Sequence, residues 1–324
     1  MLEFEKKYWS SGNKYIAGID EAGRGPLAGP VVSSAVIFPH DIELPEVTDS
    51  KKISEKKRER LYDEIYNAAL AVGVGVVHEE DIDEKNILQA TFKAMRQSVG
   101  KLGIKPDILL VDGNKADIKH YKQESIIDGD QKSLSIAAAS IIAKVTRDRM
   151  MRQYDIVFPI YGFAQHKGYG TKQHMDAIRT KKASPIHRKS FNPVPHHLPS
   201  FAYYKRNHLL EKLGEQLVAC KMIRSGYEIM ETNYNIPQIG EIDIISREED
   251  KIVFTEVKTH TTGHGWSEAS FQIDEKKSDR IMNTVQHYMD VNELDCDFRS
   301  DVGEVVLGSG RPEIRILEEA LLVY

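Results

Sequence analysis

The sequence of 324 residues predicts an α/β protein: a central, partly parallel sheet with flanking helices, then a second, smaller α/β unit. Three observations predict it. Short apolar runs alternate with helix-patterned segments through most of the first half. Two of those runs end in acidic residues followed by glycine. A stretch with four prolines and little apolar periodicity, PIHRKSFNPVPHHLPS at 185–200, separates the two parts.

In chain order, 15–19 reads as a strand and 31–38 as a second. Residues 54–69 carry helical periodicity, and LAVGVGVV at 70–77 alternates like a third strand. A second helix is expected over 86–102, and ILLV at 108–111 is a short strand of the kind buried on both faces. Residues 133–154 read as a long helix. Ala137, Ala138, Ala139 and Ser140 in its first half are small enough to let it approach a sheet closely. The segment 199–207 is read as a linker, dividing a domain at 1–198 from one at 208–324. Beyond it, 209–225 is helical, 228–234, 241–246 and 252–258 are strands, 274–289 is a helix, and strand-like runs follow.

Bulk composition excludes several classes. Hydrophobic residues at 41% and charged residues at 29% give an ordinary globular balance. No apolar stretch reaches the ~18 residues of a membrane span. The start, MLEFEKKYWS, lacks the basic-then-apolar order of a signal peptide. Cys220 and Cys296 are too few for a disulfide framework or a four-cysteine zinc site, so a cytoplasmic protein with reduced thiols is expected. The net charge of −5 is unevenly spread. Residues 1–204 hold 30 basic against 26 acidic side chains, and 144–189 hold 11 against three, a local surplus suited to phosphates.

The chemistry-bearing residues cluster at predicted strand ends. YIAGIDEAGRG carries Asp20 and Glu21, and ILLVDGN carries Asp112. Open α/β sheets bind ligands at the carboxyl ends of their strands. If these two strands are parallel neighbours, three carboxylates meet there. Oxygen-only donors suit Mg²⁺ or Mn²⁺ over zinc, and a cation offsets the repulsion among them. A lone Asp-Gly is an ordinary turn. The string IDEAGRGPLAGP asks for more, since Gly23, Gly25 and Gly29 permit close backbone approach and Arg24 stands between two glycines.

The string IDEAGRGPLAGPVVSSAVI closely resembles the first motif of the bacterial ribonuclease HII family. DSKKIS from Asp49, LLVDGN around Asp112, GDQKSLSIAAASIIAKVTRDRMM from Gly129, HKGYGT from His166, and the HRKSF segment resemble its other motifs, so the likeness covers about 14–192. The resemblance implies a ribonuclease H-like mixed sheet. It also implies two-metal hydrolysis of the RNA strand of RNA–DNA hybrids, single ribonucleotides embedded in duplex DNA included, leaving 5′-phosphate and 3′-hydroxyl ends. Carried over by position, Asp20, Glu21, Asp112 and Asp130 are the metal-binding and catalytic carboxylates. Asp128 and Asp148 lie close enough in sequence to compete with Asp130 for the fourth place. Gly23, Arg24 and Gly25 match the element that senses the ribose 2′-hydroxyl. Tyr169 matches a tyrosine that packs on the neighbouring deoxyribose, and Lys51 a substrate-contacting lysine. His166, Lys167 and the basic stretch around them would track backbone phosphates.

The second part carries GEIDII from Gly240 and IVFTEVK ending at Lys258. Glu256 and Lys258, two apart on a strand, share a face. Asp243 lies beside them if the two strands pair, and Glu215 on the preceding helix offers a further carboxylate. Acids that hold Mg²⁺ with a lysine beside them form the minimal kit of a metal-dependent phosphodiesterase. About 208–310 resembles the YraN-like family through LGEQLVACKMIRSGYEIMETNY, GEIDII and FTEVK, which implies a core similar to restriction endonucleases and Holliday-junction resolvases. Asn235, His260 and the TTGHGW loop depart from that pattern, and the part after 204 holds 14 basic against 23 acidic residues. The function expected first is therefore a metal-dependent nuclease with a candidate second nuclease site. A resolvase-type enzyme is the alternative for the whole chain, and a non-catalytic nucleic-acid or partner-binding module is the alternative for the second part.

Overall fold

The computed structural model describes residues 1–114, 117–261, 275–308 and 310–320. In chain order the first elements are α1 (Glu3–Ser10), β1 (Ile16–Ala22), β2 (Val31–Ile37), α2 (Glu55–Ala68) and β3 (Ala71–Val77). Next come α3 (Glu79–Lys85), α4 (Ile87–Gly100), β4 (Ile108–Asp112), β5 (Gln123–Ile126) and α5 (Leu134–Val157). Then follow α6 (Phe163–His166), α7 (Lys172–Lys181) and α8 (Phe201–Arg206). The last set is α9 (Leu210–Ser225), β6 (Glu228–Ile236), β7 (Gly240–Glu248), β8 (Lys251–Thr261), α10 (Glu275–Val291), β9 (Phe298–Leu307) and β10 (Glu313–Leu317). The chain divides into two compact units, one of Met1–Met151, His166–His174 and Ile186–His196, the other of Arg152–Gln165, Met175–Pro185 and His197–Tyr324. The segment read as a linker, 199–207, holds α8, started by the Ser200 side chain accepting from the Tyr203 N–H at 3.1 Å. The TTGHGW loop lies, apart from its first residue, outside the described residues, as does Asp274, the expected start of the second helix.

The first unit is built on a mixed sheet of order β3-β2-β1-β4-β5. Strands β1, β2 and β3 pair antiparallel, while β1–β4 and β4–β5 pair parallel. On one face, Ala137, Ala138, Ile141, Ile142 and Val145 of α5 pack with Leu61 and Ile65 of α2. The other face is covered by Phe92, Met95 and Val99 of α4 against Ala17, Ile19, Leu109 and Val111. The small residues do what their size permits: a Cβ at Gly18 would stand 2.1 Å from the Ser135 carbonyl carbon, so α5 lies directly on β1. Buried Glu5 holds the start of α5, its Oε1 accepting from the Ser135 N–H at 2.9 Å and the Ser133 hydroxyl at 2.6 Å. An acid at a helix N-terminus is favoured by the exposed amides and the helix dipole. This seating brings the turn before α5 to the edge where β1 and β4 end.

The second unit has its own sheet, of order β10-β9-β8-β7-β6. Among the described residues only the β8–β9 pair is parallel. Helix α10 buries Ile281, Val285 and Tyr288 against Ile245, Phe254 and Val302. Helix α9 lies close enough to the sheet that a Cβ at Gly214 would stand 1.9 Å from the Thr259 hydroxyl. Its end is set by Gly226 at φ 102°, a left-handed position glycine adopts freely. Among the described residues no helix is long and apolar enough to cross a membrane.

Candidate active site

Strands β1 and β4 run parallel in register through Ile19 opposite Val111, so the next residues, Asp20 and Asp112, are neighbours at the carboxyl edge. The arrangement that the sequence left conditional is present. Asp20 is buried, its Oδ1 accepting from the Glu21 N–H at 2.7 Å. Asp112 Oδ1 accepts from the Gly129 N–H at 2.7 Å, which ties the end of β4 to the short 3₁₀ turn Gly129–Gln131. That turn carries buried Asp130. The competitors stand elsewhere: Asp128 is exposed with φ 53°, and Asp148 is ion-paired with Lys144 at 2.6 Å.

These acids sense one another. Burial drives the Asp20 carboxyl well above the usual range, and the charges of Glu21 and Asp112 push it the same way, with the Ser140 hydroxyl opposing. Burial also raises Glu21, against the Arg24 guanidinium 3.3 Å away. Asp130 is raised by burial, then by Asp112 and Asp49, and is held down by Lys51, whose Nζ is 3.7 Å from its Oδ2. Desolvation alone would lower Lys51, yet Asp130, Asp20, Asp49 and Asp112 outweigh it and raise its pKa. Four carboxylates and one lysine thus share one electrostatic environment. Among the described residues no three acidic, imidazole or thiol side chains are drawn together tightly enough to enclose an ion. The donor chemistry nonetheless fits a hard divalent cation: oxygen ligands, partly desolvated, repelling one another until positive charge stands between them.

The glycine loop follows directly. Gly23 has φ 98°, and a Cβ there would meet the Arg147 side chain at 2.2 Å, so only glycine fits. Gly25 lies against the Tyr169 ring, with Cε1 3.7 Å from where its Cβ would be. Tyr169 is 47% exposed. The basic stretch is less uniform than its sequence suggests. Arg147, Lys167 and Arg188 are buried, and Lys167 pairs with Glu55 at 3.5 Å, whereas Lys172, Arg179, Lys181 and Lys189 are exposed.

The second constellation is also brought together. Asp243 on β7 accepts from the Val257 N–H at 2.6 Å, and Lys258 Nζ stands 2.9 Å from Glu256 Oε1. Burial, reinforced by the charges of Glu256, Glu215 and Glu241, pushes the Asp243 carboxyl up to about 7. Burial raises Glu215 too, against a hydrogen bond from the Asn233 side chain. Asn233 and Glu241 were not singled out from sequence. Asn233 sits between Thr232 and Tyr234, whose partners on β7 are Ile244 and Ile242, and so lies opposite Asp243. Its positive φ of 58° gave no signal in a strand-like run. Asp49, Ser140, Arg147, His174, His187 and Arg188 were likewise missed around the first site.

The family model for ribonuclease HII matches residues 17–194, and that of "Uncharacterised protein family UPF0102" matches 214–305. The ribonuclease HII of Acetivibrio thermocellus is 56% identical over 191 residues, covering 59% of this chain and 75% of that protein. That of Geobacter metallireducens is 55% identical over 195 residues, covering 60% of this chain and 92% of its own length. Among solved structures, the ribonuclease H2 of Pyrococcus horikoshii matches with TM-score 0.49 at 25% identity, over 56% of this chain and 96% of that one.

Proposed function

The chain belongs to the ribonuclease HII family, and on that premise we propose that Asp20, Glu21, Asp112 and Asp130 form its active site. The activity is metal-dependent endonucleolytic hydrolysis of the RNA strand in RNA–DNA hybrids. The observation that supports the site assignment is geometric: Asp20 and Asp112 end parallel neighbouring strands, and Asp112 Oδ1 accepts from the Gly129 N–H beside Asp130, so the charge of Asp112 reaches Asp20, Glu21 and Asp130. Two divalent ions, Mg²⁺ or Mn²⁺, when bound, supply water activation and stabilisation of the leaving 3′ oxygen. The residues themselves do the remainder. The four carboxylates bind the cations. Lys51 limits the negative charge before substrate arrives. Gly23, Arg24 and Gly25 read the ribose hydroxyl, and Tyr169 packs on the deoxyribose that follows. Single ribonucleotides in duplex DNA are then substrates, and the role is their excision from the genome, in the cytoplasm. The domain division at 199–207 belongs to the same proposal.

The test is a DNA duplex containing one ribonucleotide, incubated with Mg²⁺ or Mn²⁺. A nick on its 5′ side is expected, leaving 3′-hydroxyl and 5′-phosphate ends. Asp20→Asn and Asp112→Asn should each abolish it. Full activity in both variants would refute the site.

A second reading concerns 208–324. Asp243, Glu256, Lys258 and Glu215 gathered around β7 and β8 support a second metal-dependent nuclease site, as a buried acid held near 7 serves a cation better than it serves folding. Cleavage of branched or single-stranded DNA that survives Asp20→Asn but not Asp243→Ala would establish it. Binding without cleavage would leave this part a nucleic-acid-binding module.

A further inference from the structure

The two elements proposed to read sugars, the Gly23–Gly25 loop and Tyr169, are far apart in sequence. Reading two adjacent sugars requires their spacing to be fixed to well under an ångström. The dipeptide His187–Arg188 connects them. Residues 27–29 run antiparallel to 186–188: the Gly29 N–H donates to the Ile186 carbonyl at 2.9 Å and the Arg188 N–H to that of Leu27 at 2.8 Å. Ala28 and His187 are bridge partners.

From this bridge the two side chains serve different elements. Arg188, fully buried, donates from its guanidinium to the carbonyls of Gly23 at 2.5 Å, Arg24 at 2.9 Å, Gly29 at 3.0 Å and Pro30 at 3.2 Å. Carbonyl and N–H of a trans peptide point opposite ways. Drawing the Gly23 and Arg24 carbonyls toward the guanidinium therefore turns the Arg24 and Gly25 N–H groups away from it. Buried Arg147 braces the same loop, donating to Pro30 at 2.9 Å, Ala28 at 3.1 Å and, on the tyrosine side, Lys167 at 2.9 Å.

His187 serves the tyrosine. Its Nε2 lies 2.9 Å from Nε2 of His174, whose Nδ1 lies 2.9 Å from the Tyr169 carbonyl. A carbonyl only accepts, so Nδ1 of His174 carries the proton. In the neutral ring Nε2 then accepts, and His187 Nε2–H donates. Both rings are buried, and burial holds His174 down at about 4, in the neutral form this relay needs.

We infer that His187 and Arg188 are positioning residues that fix the spacing between the glycine loop and Tyr169, and with it the preference for a ribonucleotide followed by a deoxynucleotide. The inference rests on the reading of these two elements given above.

The test compares kcat/KM on a duplex with one embedded ribonucleotide against a duplex whose RNA strand is continuous and has no junction. His187→Leu and Arg188→Lys should lower the ratio on the order of tenfold or more, while kcat on the continuous hybrid changes much less. His187→Gln, whose amide keeps a donor near Nε2, should restore the ratio. An unchanged ratio in His187→Leu, or equal loss in His187→Gln and His187→Leu, overturns the inference. A wild-type enzyme with no preference for the junction overturns the reading beneath it instead. Should the leucine variant fail to fold, ¹⁵N NMR of the wild type decides: His174 protonated on Nδ1 supports the relay, and a proton on Nε2 overturns it.

Discussion

Lys51 shows how one exposed charge governs a buried site. Its head group is 3.7 Å from Asp130 and lowers the pKa of both Asp130 and Glu21. Lys51→Met should let those acids protonate at higher pH, since the charge that holds them down is gone. The half-point of Mn²⁺ binding, followed by titration calorimetry across pH, is expected to rise by roughly half a pH unit. The shift is small because an 80% exposed lysine is screened by water. A half-point that stays or falls would show that Lys51 does not act on the acids. His174 carries a second consequence, for stability. Its surroundings are the His166 ring at 4.6 Å, His187 and the Tyr169 carbonyl, and burial lowers its pKa from 6.5 to about 4. The folded pKa lies below the unfolded one. Its stabilising contribution is therefore complete above about 6.5 and is lost as pH falls toward 4, at no more than about 1.4 kcal/mol per unit. Melting temperature should drop more steeply between pH 6.5 and 4.5 in wild type than in His174→Asn, and parallel curves would contradict this.

Elements were legible where burial is two-sided. Strands β1 and β4 open as apolar runs, IAGI and ILLV, and the acids that follow mark the candidate site because charge has nowhere else to go along such a strand. The long helix α5 was readable from its alanines, but its tight seat over Gly18 was not, since that is a property of the pair. The edge strand β5 escaped notice: QESI has one buried residue in four, so it carries little pattern. Arg147 and Arg188 escaped for the opposite reason. In a basic run an arginine reads as surface, and only three-dimensional closure reveals carbonyls arranged to take its donors. Strand β3 offers a test at this scale. The glycines of AVGVGVV let α4 rest on the backbone, since a Cβ at Gly73 or Gly75 would stand 2.0 Å from a helix carbonyl oxygen, that of Ser98 or Ala94. Gly75→Ala should destabilise by about 3 kcal/mol or more in urea unfolding, because rigid backbone cannot yield as a side chain can. A change under 1 kcal/mol would show that α4 shifts freely.

At the scale of the whole molecule, a chain with a net charge of −5 contains two acid clusters, and the question for the second is whether it serves folding or a ligand. Stability and function make opposite demands on Asp243. A structural acid is normally matched by a cation or by donors that hold its pKa low. Among the described residues Asp243 accepts from the Val257 N–H at 2.6 Å, and three acids, Glu256, Glu215 and Glu241, with burial raise it to about 7. The positive group nearby, Lys258, is engaged 2.9 Å from Glu256. An asparagine would still accept from Val257 and would remove the like-charge repulsion. Asp243→Asn should therefore raise stability at pH 8 by about 1–2 kcal/mol, seen as a higher urea midpoint with unchanged slope. Added Mg²⁺ should stabilise wild type more than the variant, since only the charged cluster gains from a cation. Loss of stability on this substitution, with equal response to Mg²⁺, would make Asp243 a structural acid and leave 208–324 without a metal-dependent role.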